Sequence, residues 1–299
     1  MEWFVFALIA PFLWAGTDVV DKHILTKHVR NPFSYQLLFL LTEVPIPFLL
    51  LAVLPISFCF PWSALGMLAG FLICTSFLFY FKAMTLEETS RVISLMYVAP
   101  IFVLPLANIF LGESLSLYKY LGVMSLVFSA VLVSYRKAEG KTSLAISPAL
   151  GWMLIYDVVF AVSNILVKYV LYSMDYLSFS FWWLIGGLIG GPLLFCFPKA
   201  RREFLNDFHL ISKGVFFLRS ISTYLSFVGI VLYSAAVSVG VISLVAAVPS
   251  VEPFFVLLLT VLLSFLIPGI LEEDTGKQAF TLKISAFALI IFGAWLIAG

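Results

Sequence analysis

"VISLMYVAP" at residues 92–100 and "VISLVAAVP" at 241–249 share one frame and one closing proline, 149 positions apart. The two phrases are the visible part of a longer duplication. "FLWAGTDVVDKHIL" (12–25) lies over "VVFAVSNILVKYVL" (158–171) at an offset of 146. That register pairs Trp14 with Phe160, Thr17 with Ser163, Asp18 with Asn164 and Lys22 with Lys168. "FSAVLV" (128–133) lies over "FGAWLI" (292–297), and Lys119 lies over Lys283. The changed offset there implies extra residues in the loop "IPGILEEDTGKQAF" (267–280).

The solvent of this duplicated unit is lipid. The chain has 299 residues, 63% hydrophobic and 11% charged, with a mean hydropathy of +1.11. A soluble domain carries about 25% charged residues, and no soluble core of this size hides so much apolar surface. A formal net charge of +1 and the lack of basic patches interleaved with aromatics leave no case for a nucleic-acid partner. The three cysteines, Cys59, Cys74 and Cys196, have neither metal nor disulfide spacing and read as packing residues. "MEWFVFALIAPFLWAG" (1–16) lacks the basic start of a cleavable signal, so it is expected to stay as a first span.

A helix needs about 20 mostly apolar residues to cross the hydrocarbon. Candidate spans lie near 3–21, 33–54, 63–83, 91–111 and 117–135, then near 148–171, 177–197, 212–233, 238–266 and 281–298. The breaks, among them "KHVRNP" (27–32), "TLEETS" (85–90) and "FPKARREFLNDF" (197–208), read as loops. The expected fold class is therefore an all-α integral membrane protein of ten transmembrane helices in two five-helix repeats, 1–140 and 141–299. Five is odd, so the second repeat starts from the opposite side and is inverted. Inverted repeats related by an in-plane pseudo-twofold axis are the architecture of many secondary transporters.

The stretch 79–134 also carries a resemblance. Tyr80 and Ala83 close one span, a tight turn follows, and Pro100 lies within the next. Gly112-Glu113 then follows, and Gly122 opens the final span. This pattern, with Trp14 in the first span, is similar to that of the EamA-type members of the drug/metabolite transporter superfamily. The resemblance implies ten spans over the whole chain, two repeats, and export or exchange of small organic metabolites. The second repeat departs from it: "LEE" (271–273) stands where the Gly-Glu pair would be.

Polar residues inside the spans nominate a site, because a charge at the bilayer centre costs roughly 2.5–3.5 kcal/mol on insertion scales. Glu43, Asp157, Arg219 and Glu252 sit within apolar runs, and Lys82 near the end of one. Trp14, Thr17, Asp18 and Asp21 share one helical stripe, as do Asp157, Asn164 and Lys168, and as do Arg219, Ser222, Thr223 and Ser226. These stripes must face protein or water. The candidate substrate residues are Trp14, Asp18, Glu43, Lys82, Asp157, Asn164, Arg219 and Glu252. Arg219 either holds an anionic group of the substrate or is neutralised by Glu43, Asp157 or Glu252. Glu43 or Glu252 would hold a cationic group or carry a coupling proton. Asp18, Asp21, Lys22 and Lys168 lie nearer span ends, where snorkelling competes with a site role. Pro100 and Pro249 each remove a backbone hydrogen bond well inside a span and are candidate hinges.

The expected function is an alternating-access secondary transporter of a small amphipathic or zwitterionic metabolite, such as an amino acid. No cofactor or metal is expected, since His23, His28 and His209 are not clustered. The alternatives are a lipid scramblase or an intramembrane enzyme using Asp157 or Glu252. The expected partners are the small molecule, a coupled proton and the bilayer, with the chain a monomer or homodimer. Basic residues crowd the loops after odd-numbered spans, with Lys27, Arg30, Arg136, Lys137, Lys199, Arg201 and Arg202 among them, against Lys119 on the other side. The positive-inside rule then puts both termini outside a cytoplasmic membrane, whereas the resemblance implies termini inside.

Overall fold

The computed structural model describes residues 2–87, 89–96, 98–134, 147–266, 285–289, 291–293 and 295–296. Every regular element among them is helical, as lipid demands of a chain that must satisfy its own backbone. The first repeat supplies α1 (Glu2–Lys27), α2 (Pro32–Glu43), α3 (Pro45–Val53), α4 (Trp62–Met84), α5 (Thr89–Met96), α6 (Pro100–Leu111) and α7 (Leu117–Ser134). The second supplies α8 (Leu150–Leu171), α9 (Tyr176–Cys196), α10 (Pro198–Asp207), α11 (Lys213–Val239), α12 (Ile242–Val245) and α13 (Glu252–Leu266).

Helix starts follow from local chemistry. Asn31 accepts hydrogen bonds from Phe33 N and Ser34 N, with Pro32 in the first turn of α2. Asp175 accepts from Leu177 N and Ser178 N at α9, and Ser212 from Val215 N at α11. Each side-chain oxygen satisfies amides that the helix itself leaves unpaired. Pro45 divides the second span into α2 and α3, because its ring nitrogen has no hydrogen to donate.

Seven segments among the described residues are long and apolar enough to cross a membrane: Trp3–Lys27, Pro32–Val53, Trp62–Met84, Leu150–Leu171, Tyr176–Cys196, Lys213–Val239 and Ile242–Thr260. The expected span 91–111 is two short helices, α5 and α6, with a turn between them. The expected fifth span is present as α7, Leu117–Ser134. Most of the expected tenth span, and the loop 267–280, lie outside the described residues. "PKARREFLND" is not the loop that its charge suggests: it forms α10, and Ser34 Oγ donates to Asp207 Oδ2 at 2.6 Å just beyond α2's cap.

Packing crosses between the repeats. α1 runs along α11, and α4 runs along α8 and α9. The α4–α9 crossing is backbone against backbone: a methyl built on Gly70 would overlap the Trp183 carbonyl, and one on Gly186 the Met67 carbonyl. Small residues allow such approach where lipid offers no hydrophobic drive for helix association. Large apolar side chains such as Phe48, Val53, Ile109, Phe110 and Phe217 stay exposed, as lipid-facing residues do.

The two prolines mark two broken helices. α5 ends at Met96, Ala99 N donates to Met96 O at 3.4 Å, and Pro100 opens α6. Met96 O, four residues before Pro100 and so without the amide a continuous helix would offer it, is thus taken up by the turn. In the second repeat α12 ends at Val245, a 3-10 turn spans Val248–Val251 around Pro249, and α13 follows. A proline accounts for each break, since it fits the first turn of a helix and cannot continue the one before.

Candidate functional site

Four helices from each repeat converge on a cavity of about 130 Å³. α1 contributes Trp14, Thr17, Asp18 and Asp21; α4 contributes Ile73, Phe77 and Tyr80; α5 contributes Met96. α8 contributes Tyr156, Phe160, Ser163 and Asn164, and α11 contributes Arg219, Ser226, Ile230, Tyr233 and Ser234. Pro249 and Glu252 close it from the second broken helix, and Phe39 of α2 and Trp183 of α9 add apolar wall.

The chemistry is arranged in three groups. Arg219, wholly buried, donates from Nη1 to Asp21 Oδ1 at 2.7 Å and to Ser222 Oγ at 2.8 Å. Its guanidinium carbon lies 4.5 Å from the centre of the Phe39 ring, a cation–π contact. Tyr35 donates to the same Asp21 oxygen at 2.8 Å. Asp18 forms the second group, accepting from Tyr80 Oη at 2.7 Å and facing the carboxyl of Glu252 within hydrogen-bonding reach. Asn164 forms the third: its Oδ1 accepts from Tyr233 Oη at 2.6 Å while Nδ2 donates to Phe160 O at 2.9 Å. Trp14 is fixed by a 3.2 Å hydrogen bond from Nε1 to Ser226 O.

These contacts occur in pairs. Tyr80 on Asp18 is matched by Tyr233 on Asn164. Lys22 Nζ donates to the Met84 and Glu87 carbonyls, both at 2.7 Å, and Lys168 Nζ to the Val237 and Gly240 carbonyls, both at 2.8 Å. The acceptors and donors on α1 and α8 keep the sequence offset of 146, and their partners at and beyond the ends of α4 and α11 share an offset of 153. Each lysine thus satisfies carbonyls at the C-terminal end of a helix, where a cation also complements the helix dipole. Snorkelling is not how Lys168 is used: it is 6% exposed.

Of the sequence-nominated residues, Trp14, Asp18, Asn164, Arg219, Glu252 and Pro249 line the cavity. Glu43, Asp157, Lys82 and Pro100 are not among its lining residues. Glu43 is buried at the end of α2, within electrostatic reach of Arg219. Asp157 is fully buried, and neither of its oxygens meets a hydrogen-bond partner among the described residues; its neighbour Tyr156 takes the cavity side instead. Lys82 is exposed near the end of α4. The ion-pair partner of Arg219 is Asp21, which the α1 stripe contained but which snorkelling appeared to explain. The aromatic wall of Phe77, Tyr156 and Tyr233 was also unmarked, because aromatics at helical spacing in a lipid-soluble chain look like any other apolar residue. Among the described residues no group of His, Cys, Asp or Glu has a metal-holding arrangement.

One residue outside the cavity joins the repeats. Gly112 ends α6 in the left-handed region (φ 66°), and the turn aims Glu113 at α12. Its carboxylate accepts from Ile242 N at 2.9 Å, Ser243 N at 3.1 Å and Ser243 Oγ at 2.7 Å. It caps a half-helix of the other repeat.

Comparison with known proteins supports the resemblance. Residues 1–135 match the EamA-like transporter family. A solved crystal structure superposes with a TM-score of 0.67, covering 99% of this chain and 95% of its own, at 15% identity; that likeness shows the fold alone. No curated protein matches the chain.

Proposed function

We propose that this chain, whose residues 1–135 match the EamA-like transporter family, is an alternating-access secondary transporter of a small amphipathic metabolite. The observation that carries the reading is a buried polar and aromatic cavity walled by both halves of the chain. Two units of five spans each, 1–140 and 141–299, in opposite orientation, account for the duplicated tyrosine and lysine contacts. A pair of like halves packed crosswise can exchange conformations at little net cost. The site then opens first to one face and then to the other.

The cationic end of the substrate lies toward Asp18 and Glu252, and its apolar body against Trp14, Tyr156 and Phe160. A zwitterion such as an amino acid would need Arg219 to give its carboxylate a share of the fork now held by Asp21. Pro100 and Pro249 sit at the helix breaks and serve as the hinges. The charge asymmetry of the loops places both termini outside a cytoplasmic membrane. A reporter fused after Gly299 that is active only in the cytoplasm overturns that orientation.

Flux is the decisive test. Purified protein in liposomes should move a water-soluble metabolite unchanged; a chemically altered product supports the enzyme reading, and scrambling of labelled lipid the scramblase reading. Arg219→Ala and Glu43→Ala should each impair flux, and full transport by both variants sinks the assignment of these two residues.

A further inference from the structure

We propose that α10 is an interfacial helix whose outer side binds the anionic headgroups of phospholipids in the leaflet that it borders. The surface lies outside the cavity, so the inference holds whatever the cavity carries.

The position of α10 follows from its contacts. The chain turns at Phe197, whose extended backbone ends α9, and α10 runs from there beside the first turn of α2. Two side-chain contacts fix it to α2: the hydrogen bond from Ser34 Oγ to Asp207 Oδ2 at 2.6 Å, and Lys199 Nζ at 5.9 Å from the centre of the Phe33 ring. Helical spacing then sorts the side chains. Ala200 is buried, and Phe204 and Asp207 on the same side are half-buried. Arg201, Arg202 and Leu205, with Phe208 just beyond the helix, form the outer side, and all four are exposed. The start of α2 holds α10 at the face where α1 ends and α11 begins. Lys27, Arg30 and Lys213 of those ends are exposed, as are Lys199, Arg201 and Arg202 of α10. Residues 27–34 and 197–213 hold just two acids against these cations, Glu203 and Asp207, and both are half-buried.

Positive charge alone would suit any anion, and the apolar neighbours decide among them. Phe197, Leu205 and Phe208 are 64%, 59% and 57% exposed, and they lie among the arginines. Edge contacts from Phe195 to Phe204 and from Phe204 to Phe208, at 6.2 and 5.8 Å, continue the aromatic surface from the end of α9 onto this helix. A free phosphate ion would engage the guanidinium groups and leave these apolar side chains in water. A phospholipid uses both: rings and leucine enter the acyl boundary, while the arginine stems carry their charge out to the phosphates. The depth is right, since α10 starts two residues after the α9 span ends and lies beside the residues that open the α2 span. Arginine also suits phosphate geometrically, because its planar fork donates two parallel hydrogen bonds.

The test uses the full-length chain with Cys59, Cys74 and Cys196 replaced and a bimane label on Asn206→Cys, an exposed position of α10. The liposomes are phosphatidylcholine with spin-labelled phosphatidylglycerol or spin-labelled phosphatidylcholine as the quencher. Each basic residue at an anionic surface favours association about fivefold, so two arginines should give a local preference for phosphatidylglycerol of about 5- to 25-fold at low salt. Arg201→Gln combined with Arg202→Gln should lower it at least about fivefold, and both side chains are exposed, so the variant keeps its fold. Raising the salt to about 0.5 M should lower it as well. The same label on Leu117→Cys, at the opposite end of the bundle, should show no preference. Equal quenching by the two lipids at Asn206→Cys, a preference that survives the double variant, or an equal preference at Leu117→Cys overturns the proposal. Loss of the preference to inorganic phosphate or to poly-glutamate at matched ionic strength also overturns it, by showing a surface for a soluble anion or for an acidic protein segment.

Discussion

Under the alternating-access mechanism proposed above, replacing Glu113 with alanine should bias the chain toward opening on the face where the α6–α7 turn lies. The carboxylate accepts three hydrogen bonds, two of them from the first amides of α12, and these amides belong to residues at 0% and 2% exposure. Losing a cap of this kind costs about 1–2 kcal/mol, with the half-buried position of Glu113 holding the figure below that of a wholly buried charge. The cap joins the two repeats, so the cost falls on the conformation that brings α6 and α12 together. At 1.4 kcal/mol per factor of ten, the balance between the two facing states shifts about 5- to 30-fold. The assay is the labelling rate of Ser234→Cys, a cavity-lining position, by a membrane-impermeant maleimide with Cys59, Cys74 and Cys196 replaced. Labelling from the Glu113 face should quicken by that factor and slow from the other, and Glu113→Gln should fall between, since it keeps one acceptor. If Glu113→Ala lowers thermal stability yet leaves both rates unchanged, Glu113 only orders its own turn and the latch argument is refuted.

Other substitutions test the scaffold. Gly70→Ala should lower the melting temperature through a backbone displacement costing about 1–3 kcal/mol or more, whereas Gly16→Ala, with no atom within 4 Å of the new methyl, should be neutral or slightly stabilising; equal effects would deny the close α4–α9 approach. Lys22→Met and Lys168→Met should destabilise by similar amounts, about 1–2 kcal/mol each, in thermal unfolding; a loss confined to one of them would show that the duplicated caps are not equivalent. Asp21→Ala should destabilise by about 3–5 kcal/mol by stranding a buried guanidinium, and adding Arg219→Met should recover much of it. No recovery in the double variant would mean that Asp21 supports the fold in some other way.

Much of the architecture was legible because lipid leaves few options. Long apolar runs account for most of the helices, and the 146-residue offset lays the sequence of α1 over that of α8. The proline-closed phrases likewise located both helix breaks. What escaped was decided across space. Glu43, Asp157 and Lys82 read as site residues because a charge in an apolar run is conspicuous, but a single sequence does not say to which side its helix turns it. Asp157 and Tyr156 are adjacent, and the helix gives the cavity to the tyrosine. Asp21 reads as an end-of-span residue, and its partner Arg219 lies 198 positions away, beyond the reach of any local pattern. α10 reads as a loop because its charges mask a ten-residue helix.

The repeat is conserved in its scaffold and broken at its site. Lys22 and Lys168 make matching contacts, as do Tyr80 and Tyr233, and under the proposed alternating access these are the contacts that both states would keep. The acceptors of those tyrosines differ: Asp18 in one half, Asn164 in the other. Trp14 likewise stands over Phe160. A fully symmetric cavity would present two equivalent carboxyls from α1 and α8 and so two equal poses for any guest. Substituting an amide for one of them removes a charge without removing the hydrogen bond, and Glu252 then sets the second carboxyl beside Asp18. The Asp18–Asn164 pair is therefore charged at one member only, while the frame around it keeps the likeness between halves that the proposed alternating access requires. Asn164→Asp should for that reason add a second cation-attracting end and weaken selectivity between singly and doubly charged guests, read as the ratio of benzyltrimethylammonium to hexane-1,6-diamine binding. An unchanged ratio would show that the asymmetry at this pair does not set the site's charge preference.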